Sequence, residues 1–236
     1  MTTADASPFT ILCFGDSNTH GYDGTQARLG ERMPYGKRWT TLLERQLGGK
    51  AIVIPEGLNG RTSNFDDPLN SLPPCCDGGD AASANGRRFL LPCLHSHKPV
   101  DVVVLGLGCN DLKPRLGPLS PSEIAKGCQR LIADIKKSNA GPNGGAPLVV
   151  LLSPPLIIHR GFHPDFGVDC EARSRQTIDE FSQLRVPKVS AEKAADVFID
   201  LGAVASTSDD GLHFDYDGAV KIAEAVKQQV LKVLDI

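Results

Sequence analysis

The chain reads as a three-layer α/β/α protein built on a five-stranded parallel sheet. Three observations predict it. Five short runs rich in Val, Ile and Leu are near-continuous rather than alternating, as strands covered on both faces require. Amphipathic helical segments lie between them, so the connections read as right-handed crossovers. At 236 residues the chain has the length of many single α/β units, and residues 1–236 are expected to form one domain.

The elements follow in order. Phe9–Phe14 is the first strand, ended by Gly15-Asp16-Ser17-Asn18. Trp39, Leu42, Leu43 and Leu47 then share one helical face, which makes Trp39 a core residue, and Gly48 stops that helix. Ala51–Ile54 and Val100–Leu107 are the second and third strands. Ser120-Pro121-Ser122-Glu123 is a capping box with proline at the first helical position, and Ile124, Cys128, Leu131, Ile132 and Ile135 follow at helical spacing. Pro147–Leu152 and Val197–Ile199 complete the strands, and a last helix carries Val220, Ala223, Val226, Val230 and Leu234. The expected strand order is the flavodoxin-like 2-1-3-4-5. Two irregular stretches interrupt the rhythm, at about 66–88 and 154–169. The first holds Pro73-Pro74, Gly78-Gly79 and Asn85-Gly86, the second Pro154-Pro155, Gly161, Pro164 and Gly167. Loops of this length in compact domains usually serve function or are mobile.

Composition excludes several classes. The net charge of -3 and the lack of a basic block argue against a nucleic-acid partner. No apolar run is long enough to span a bilayer. Met1 to Pro8 lack a positive start followed by an apolar core, so no secretory leader is expected. The seven cysteines are irregularly spaced, with Cys13, Cys109 and Cys128 in apolar settings, which suits a reducing, cytoplasmic location without disulfides. Cys75-Cys76, Cys93, His95 and His97 lack the C-x2-C spacing of zinc ligands, so no metal is expected. No third glycine follows Gly106-Leu107-Gly108 at dinucleotide spacing and no phosphate loop occurs, so no cofactor is expected.

Ligands of open α/β sheets sit at the carboxyl ends of the strands. Four groups follow those ends: Ser17; Gly60 in Glu56-Gly57-Leu58-Asn59-Gly60-Arg61-Thr62; Asn110 in Gly108-Cys109-Asn110-Asp111; and Asp210-Gly211-Leu212-His213. Each has a plain alternative. Ser17 could cap a helix, Gly60 could be a turn glycine, Asn110-Asp111 a turn or helix cap, and Asp210 with His213 a local cap with an exposed imidazole. Together, and in this order, they suit acyl transfer. His213 would take the Ser17 proton, and Asp210 would hold the His213 tautomer. The Ser17 and Gly60 amides and the Asn110 side chain would donate to an oxyanion. Asp16 and Asp111 are expected to bind loop amides. The elbow of α/β-hydrolases, G-x-S-x-G, is absent, since Thr19 takes its second glycine position.

These four blocks resemble the SGNH hydrolases, the GDSL lipase/esterase superfamily. More narrowly, Cys13-Phe14-Gly15-Asp16-Ser17, Glu56-Gly57-Leu58, Arg61-Thr62 and Leu94-His95-Ser96-His97-Lys98-Pro99 look like its small bacterial arylesterase and acyltransferase branch. The resemblance implies an esterase acting on small-molecule, short-chain acyl or aryl esters, with Ser17, Asp210 and His213 catalytic and Ser17, Gly60 and Asn110 lining the oxyanion hole. Members of that branch are often oligomeric, so a homo-oligomer is admitted. Asn18 stands where the family name expects leucine, and Cys109 where a threonine or other small residue is usual. Acyltransferase, thioesterase and carbohydrate deacetylase activities would use the same groups, and a non-catalytic binding module is the reading from another class.

Overall fold

The computed structural model describes residues 7–67, 84–117, 119–160, 164–184 and 197–236. Five parallel strands, β1 (Phe9–Gly15), β2 (Ala51–Gly57), β3 (Val102–Gly106), β4 (Leu148–Leu152) and β5 (Val197–Ile199), form one sheet in the order β2-β1-β3-β4-β5. The strand order expected from the sequence is the one observed. Because side chains alternate across a strand, each buried run feeds two cores. Leu12, Phe14, Val103, Leu105, Val149 and Leu151 enter one core. Ile11, Cys13, Val102, Val104, Val150 and Leu152 enter the other.

Helices close both faces. The first core is covered by α3 (Gly86–His97), α4 (Pro121–Lys136) and α5 (Cys170–Ser182), through Leu90, Leu94, Ile124, Leu131, Ile135 and Phe181. The second is covered by α2 (Trp39–Leu47) and α7 (Tyr216–Leu234), through Trp39, Leu43, Ile222, Val226 and Val230. Two one-turn helices, α1 (Ser17–His20) and α6 (Leu201–Val204), begin beyond the carboxyl ends of β1 and β5. No helix among the described residues is long and apolar enough to cross a membrane.

Some boundaries move. β2 runs on to Gly57 because it is an edge strand, where exposed Pro55 costs no inner ladder bond. β3 is shorter than Val100–Leu107, since the Val100 amide leaves the ladder and donates to the Ala140 carbonyl at 2.8 Å. Gly86 to Arg88, inside the first irregular stretch, form the first turn of α3. There Asn85 is the cap, its side chain accepting from the Arg87 amide at 3.1 Å. The buried stripe of α7 is Ala219, Ile222, Ala223, Val226, Val230 and Val233, so Val220 and Leu234 lie at its margins, half-buried. Leu42 is likewise half-buried beside the α2 stripe. Pro73-Pro74, Cys75-Cys76, Gly78-Gly79, Gly161 and the first six residues lie outside the described residues.

The capping box forms as expected: the Glu123 amide donates to Ser120 Oγ at 3.3 Å, and the Ser120 amide donates to Glu123 Oε2 at 2.8 Å. Replacing such a cap costs about 0.5–2 kcal/mol. Ser120→Ala is therefore expected to lower the unfolding free energy measured in urea by about 1 kcal/mol while leaving the native circular dichroism spectrum unchanged.

Candidate active site

The register brings the site's groups to one edge. Gly15 pairs with Gly57 of β2 and with Gly106 of β3, so three glycines end adjacent strands, and at Gly15 and Gly57 their missing side chains let Thr19 and His20 of α1 pack close. Asp16 is the N-cap of α1, and its Oδ1 accepts from the Asn18 amide at 2.9 Å. Ser17 is therefore the first helical residue rather than the cap. Its amide belongs to the first turn, where no preceding helical carbonyl is available to accept it.

Ser17, His213 and Asp210 form a continuous line. Ser17 Oγ lies 2.8 Å from His213 Nε2, and His213 Nδ1 lies 2.6 Å from Asp210 Oδ2. All three residues are buried. Asp210 Oδ1 also accepts from the Leu212 and His213 amides, each at 2.8 Å. Asp210 thus does make a local cap, but the imidazole is buried rather than exposed, and the same carboxylate holds its ring.

Gly60 and Asn110 reach the same edge. The Arg61 amide donates to the Leu58 carbonyl at 3.1 Å, closing a turn in which Gly60 has φ +77°. That φ at the third turn position is the one type II turns reserve for glycine. Asn110 is buried, and its Nδ2 donates to the Arg61 carbonyl at 3.1 Å. The Gly60 turn and the Asn110 loop are thereby fastened to each other.

Asp111 does what was expected of it. Both its oxygens accept from the Ser63 amide at 3.0 Å, and Oδ1 accepts from Ser63 Oγ at 2.6 Å. Burial pushes the Asp111 carboxyl up to about 6 and that of Asp16 up to about 7, the latter opposed by the Asn18 amide.

Four residues that support the site carried no role in the sequence reading. Asn18 Nδ2 donates to the Leu212 carbonyl at 3.4 Å, and Asn18 Oδ1 accepts from the Phe214 amide at 3.3 Å, so one amide grips both sides of His213. The Tyr22 ring stacks on the imidazole with centroids 4.2 Å apart. Gly24 accepts the Asp210 amide at 3.1 Å, and a Cβ there would sit 2.4 Å from Asp210 Oδ2. Arg61 is buried, its guanidinium 4.2 Å from the Phe14 ring centroid and bonded to the Gly15 carbonyl at 3.0 Å and to the Glu56 carbonyl. Only Asn18 and the Arg61 block stood out in the sequence, as a departure and as part of a motif. Of the other histidines, His95 and His159 are exposed, His20 and His97 are half-buried, and His163 lies outside the described residues.

The chain matches the model of the GDSL-like lipase/acylhydrolase family over residues 13–220. It belongs to that family. The native aryl esterase of M. smegmatis is 33% identical, with a TM-score of 0.79, and the match covers 95% of this chain and 99% of that one. Est24, a carbohydrate acetylesterase from Sinorhizobium meliloti, is 28% identical with a TM-score of 0.79, the match covering 94% of this chain and 98% of that one. Another carbohydrate acetylesterase family member from Sinorhizobium meliloti is 32% identical with a TM-score of 0.79, covering 97% of this chain and 100% of its own. None of the curated proteins matches. The protein is an SGNH/GDSL-type esterase.

The Asp16 carboxyl binds its proton more tightly folded than unfolded, since about 7 exceeds the ordinary 3.8. The native state therefore holds the extra proton between those values, and stability falls as pH rises from about 4 to about 7. Asp16→Asn should flatten that decline in urea midpoints measured across the interval. Gly24→Ala should displace Asp210 and lower turnover by about tenfold or more, because small misplacements of catalytic groups cost up to about 100-fold.

Proposed function

We propose that the protein is a serine-dependent carboxylic ester hydrolase acting on short-chain acyl or aryl esters through a covalent acyl-enzyme. One observation carries the reading: the unbroken hydrogen-bonded line from Ser17 Oγ through His213 to Asp210, with spacings of 2.8 and 2.6 Å.

Each step uses this chain's own groups. The Ser17 Oγ proton passes to His213 Nε2 as Oγ bonds to the ester carbonyl carbon. The tetrahedral oxyanion is met by the Ser17 and Gly60 amides and by Asn110 Nδ2, groups held in place before substrate arrives. Asp210 stabilises the imidazolium and keeps Nε2 facing Ser17. His213 then returns the proton to the leaving alcohol as the carbon–oxygen bond breaks. Water enters, gives a proton to Nε2, and attacks the acyl carbon. The second intermediate collapses to free acid, and the proton returns to Ser17 Oγ.

The names of similar proteins favour two substrate classes within this chemistry, aryl esters and acetylated carbohydrates. Acetate release from a phenyl acetate and from an acetylated sugar separates them. If an added alcohol captures more of the acyl group than water does, acyl transfer is the dominant use of the same site.

Ser17→Ala should abolish the burst with a chromogenic acetate ester and lower kcat by at least about 10⁴-fold. A variant with full activity and an intact burst would remove Ser17 from the mechanism. Asn110→Ala should lower kcat by about 10²–10³-fold with a smaller change in KM, since an oxyanion donor acts mainly in the transition state.

A further inference from the structure

Away from the serine, the carboxyl end of β2 meets the last two turns of α3. Glu56 is the penultimate residue of the edge strand, paired with Phe14 of β1. Cys93 and His97 lie four residues apart on α3, hence on one helical face. Glu56, Cys93 and His97 each offer a ligand atom, and these atoms all lie within 4.8 Å of one another. His97 Nε2 and Glu56 Oε1 are already 3.2 Å apart. All three residues are half-buried, so the cluster has walls and an opening to solvent.

We propose that Glu56, Cys93 and His97 form a binding site for a divalent transition metal of the zinc class. The donor set argues for this class. One thiolate, one imidazole and one carboxylate are the ligands that a borderline-soft ion takes, whereas calcium and magnesium take oxygen. The geometry argues for a tetrahedral ion. Bonds of about 2.0–2.3 Å place ligand atoms about 3.3–3.7 Å apart along a tetrahedral edge. The histidine–glutamate spacing of 3.2 Å is just short of that edge, and the thiol, within 4.8 Å of both, has at most about one ångström to close. Three protein ligands leave a fourth position for water.

Binding is a ligand exchange without redox chemistry. The Cys93 S–H bond breaks, its proton passes to buffer, and sulfur bonds to the metal. The hydrogen bond between His97 and Glu56 is replaced by two metal bonds, and the proton it held moves to His97 Nδ1, leaving Nε2 free to bind. Burial, and then the neighbouring Glu56, push the Cys93 thiol up to about 12 against the opposing Arg61 guanidinium, so the metal itself must displace the thiol proton. The bound ion would tie β2 to α3 immediately before the Gly57–Thr62 segment, and takes no part in the acyl-transfer steps. Sequence spacing concealed the site because Glu56 lies on a different element from the Cys-x-x-x-His pair.

The test uses the full chain, stripped of metal with a chelator and titrated with Zn²⁺ alone and with Co²⁺ alone. We expect one Zn²⁺ per chain, and a thiolate-to-cobalt charge-transfer absorption with Co²⁺. Cys93→Ser should abolish that absorption, and His97→Asn and Glu56→Gln should each weaken Zn²⁺ binding by at least about tenfold. Ser17→Ala should bind normally. Glu56 and His97 are half-buried, so those two variants are expected to fold and keep the test valid should Cys93→Ser fail to fold. Absence of stoichiometric Zn²⁺ binding would overturn the proposal. So would binding indifferent to Glu56→Gln and His97→Asn, or binding lost only in Cys75→Ser/Cys76→Ser.

Discussion

The Asp210 carboxylate divides its two oxygens between a ring and a backbone. Oδ2 holds His213 Nδ1, while Oδ1 gathers the amides of Leu212 and His213. The carboxylate therefore shapes the loop that carries the histidine and orients the histidine at the same time. A single displacement would undo both, which explains the tight packing around it. Gly24 lies against one side with no room for a side chain, Tyr22 stacks on the imidazole, and Asn18 grips the backbone on either side of His213. Asn18 also follows Ser17 directly, so the helix bearing the hydroxyl and the loop bearing the imidazole are joined by an amide side chain as well as by the Ser17–His213 hydrogen bond.

The second half of the site is fastened by a separate set of contacts. Arg61 is a buried cation that takes carbonyls from two neighbouring strands and lies over Phe14. Its own carbonyl accepts from Asn110, and Asp111 next door receives Ser63. The segments after β1, β2 and β3 are thus locked together through polar groups that water does not reach. Donors fixed in this way need little reorganisation when charge develops, which is the condition for strong oxyanion stabilisation. The cost is two buried carboxyls, Asp16 and Asp111, held above their usual range.

The inner strands were legible because burial on both faces leaves an unbroken apolar run, and the partly exposed edge strands β2 and β5 because they keep Val and Ile. The helices were legible only where one face is apolar. The periodicity did not reveal α3, since Pro92 interrupts it and Arg87, Arg88 and His95 dilute its stripe. It did not reveal α5 because that helix buries Ser174 and Thr177 beside Ile178 and Phe181. Ser174 Oγ accepts the Ile157 amide at 3.1 Å and donates to the Glu171 carbonyl at 2.9 Å, and Thr177 Oγ1 donates to the Arg173 carbonyl at 2.9 Å. Satisfied hydroxyls can occupy a core while reading as surface. At the site, the groups of the proposed chemistry were legible because acyl transfer restricts residue type. The grip of Asn18, the stack of Tyr22 and the clearance at Gly24 were not, because each depends on a partner that only folding supplies.

The central claim is that His213, held by Asp210, activates Ser17. Labelling with a fluorophosphonate tests it most directly, because an unactivated serine does not react. The account predicts one adduct per chain on Ser17, mapped by peptide mass, formed quickly in the wild type and slowed by orders of magnitude in His213→Ala and Asp210→Asn. Equal labelling rates in all three proteins, or an adduct on another residue, would contradict it.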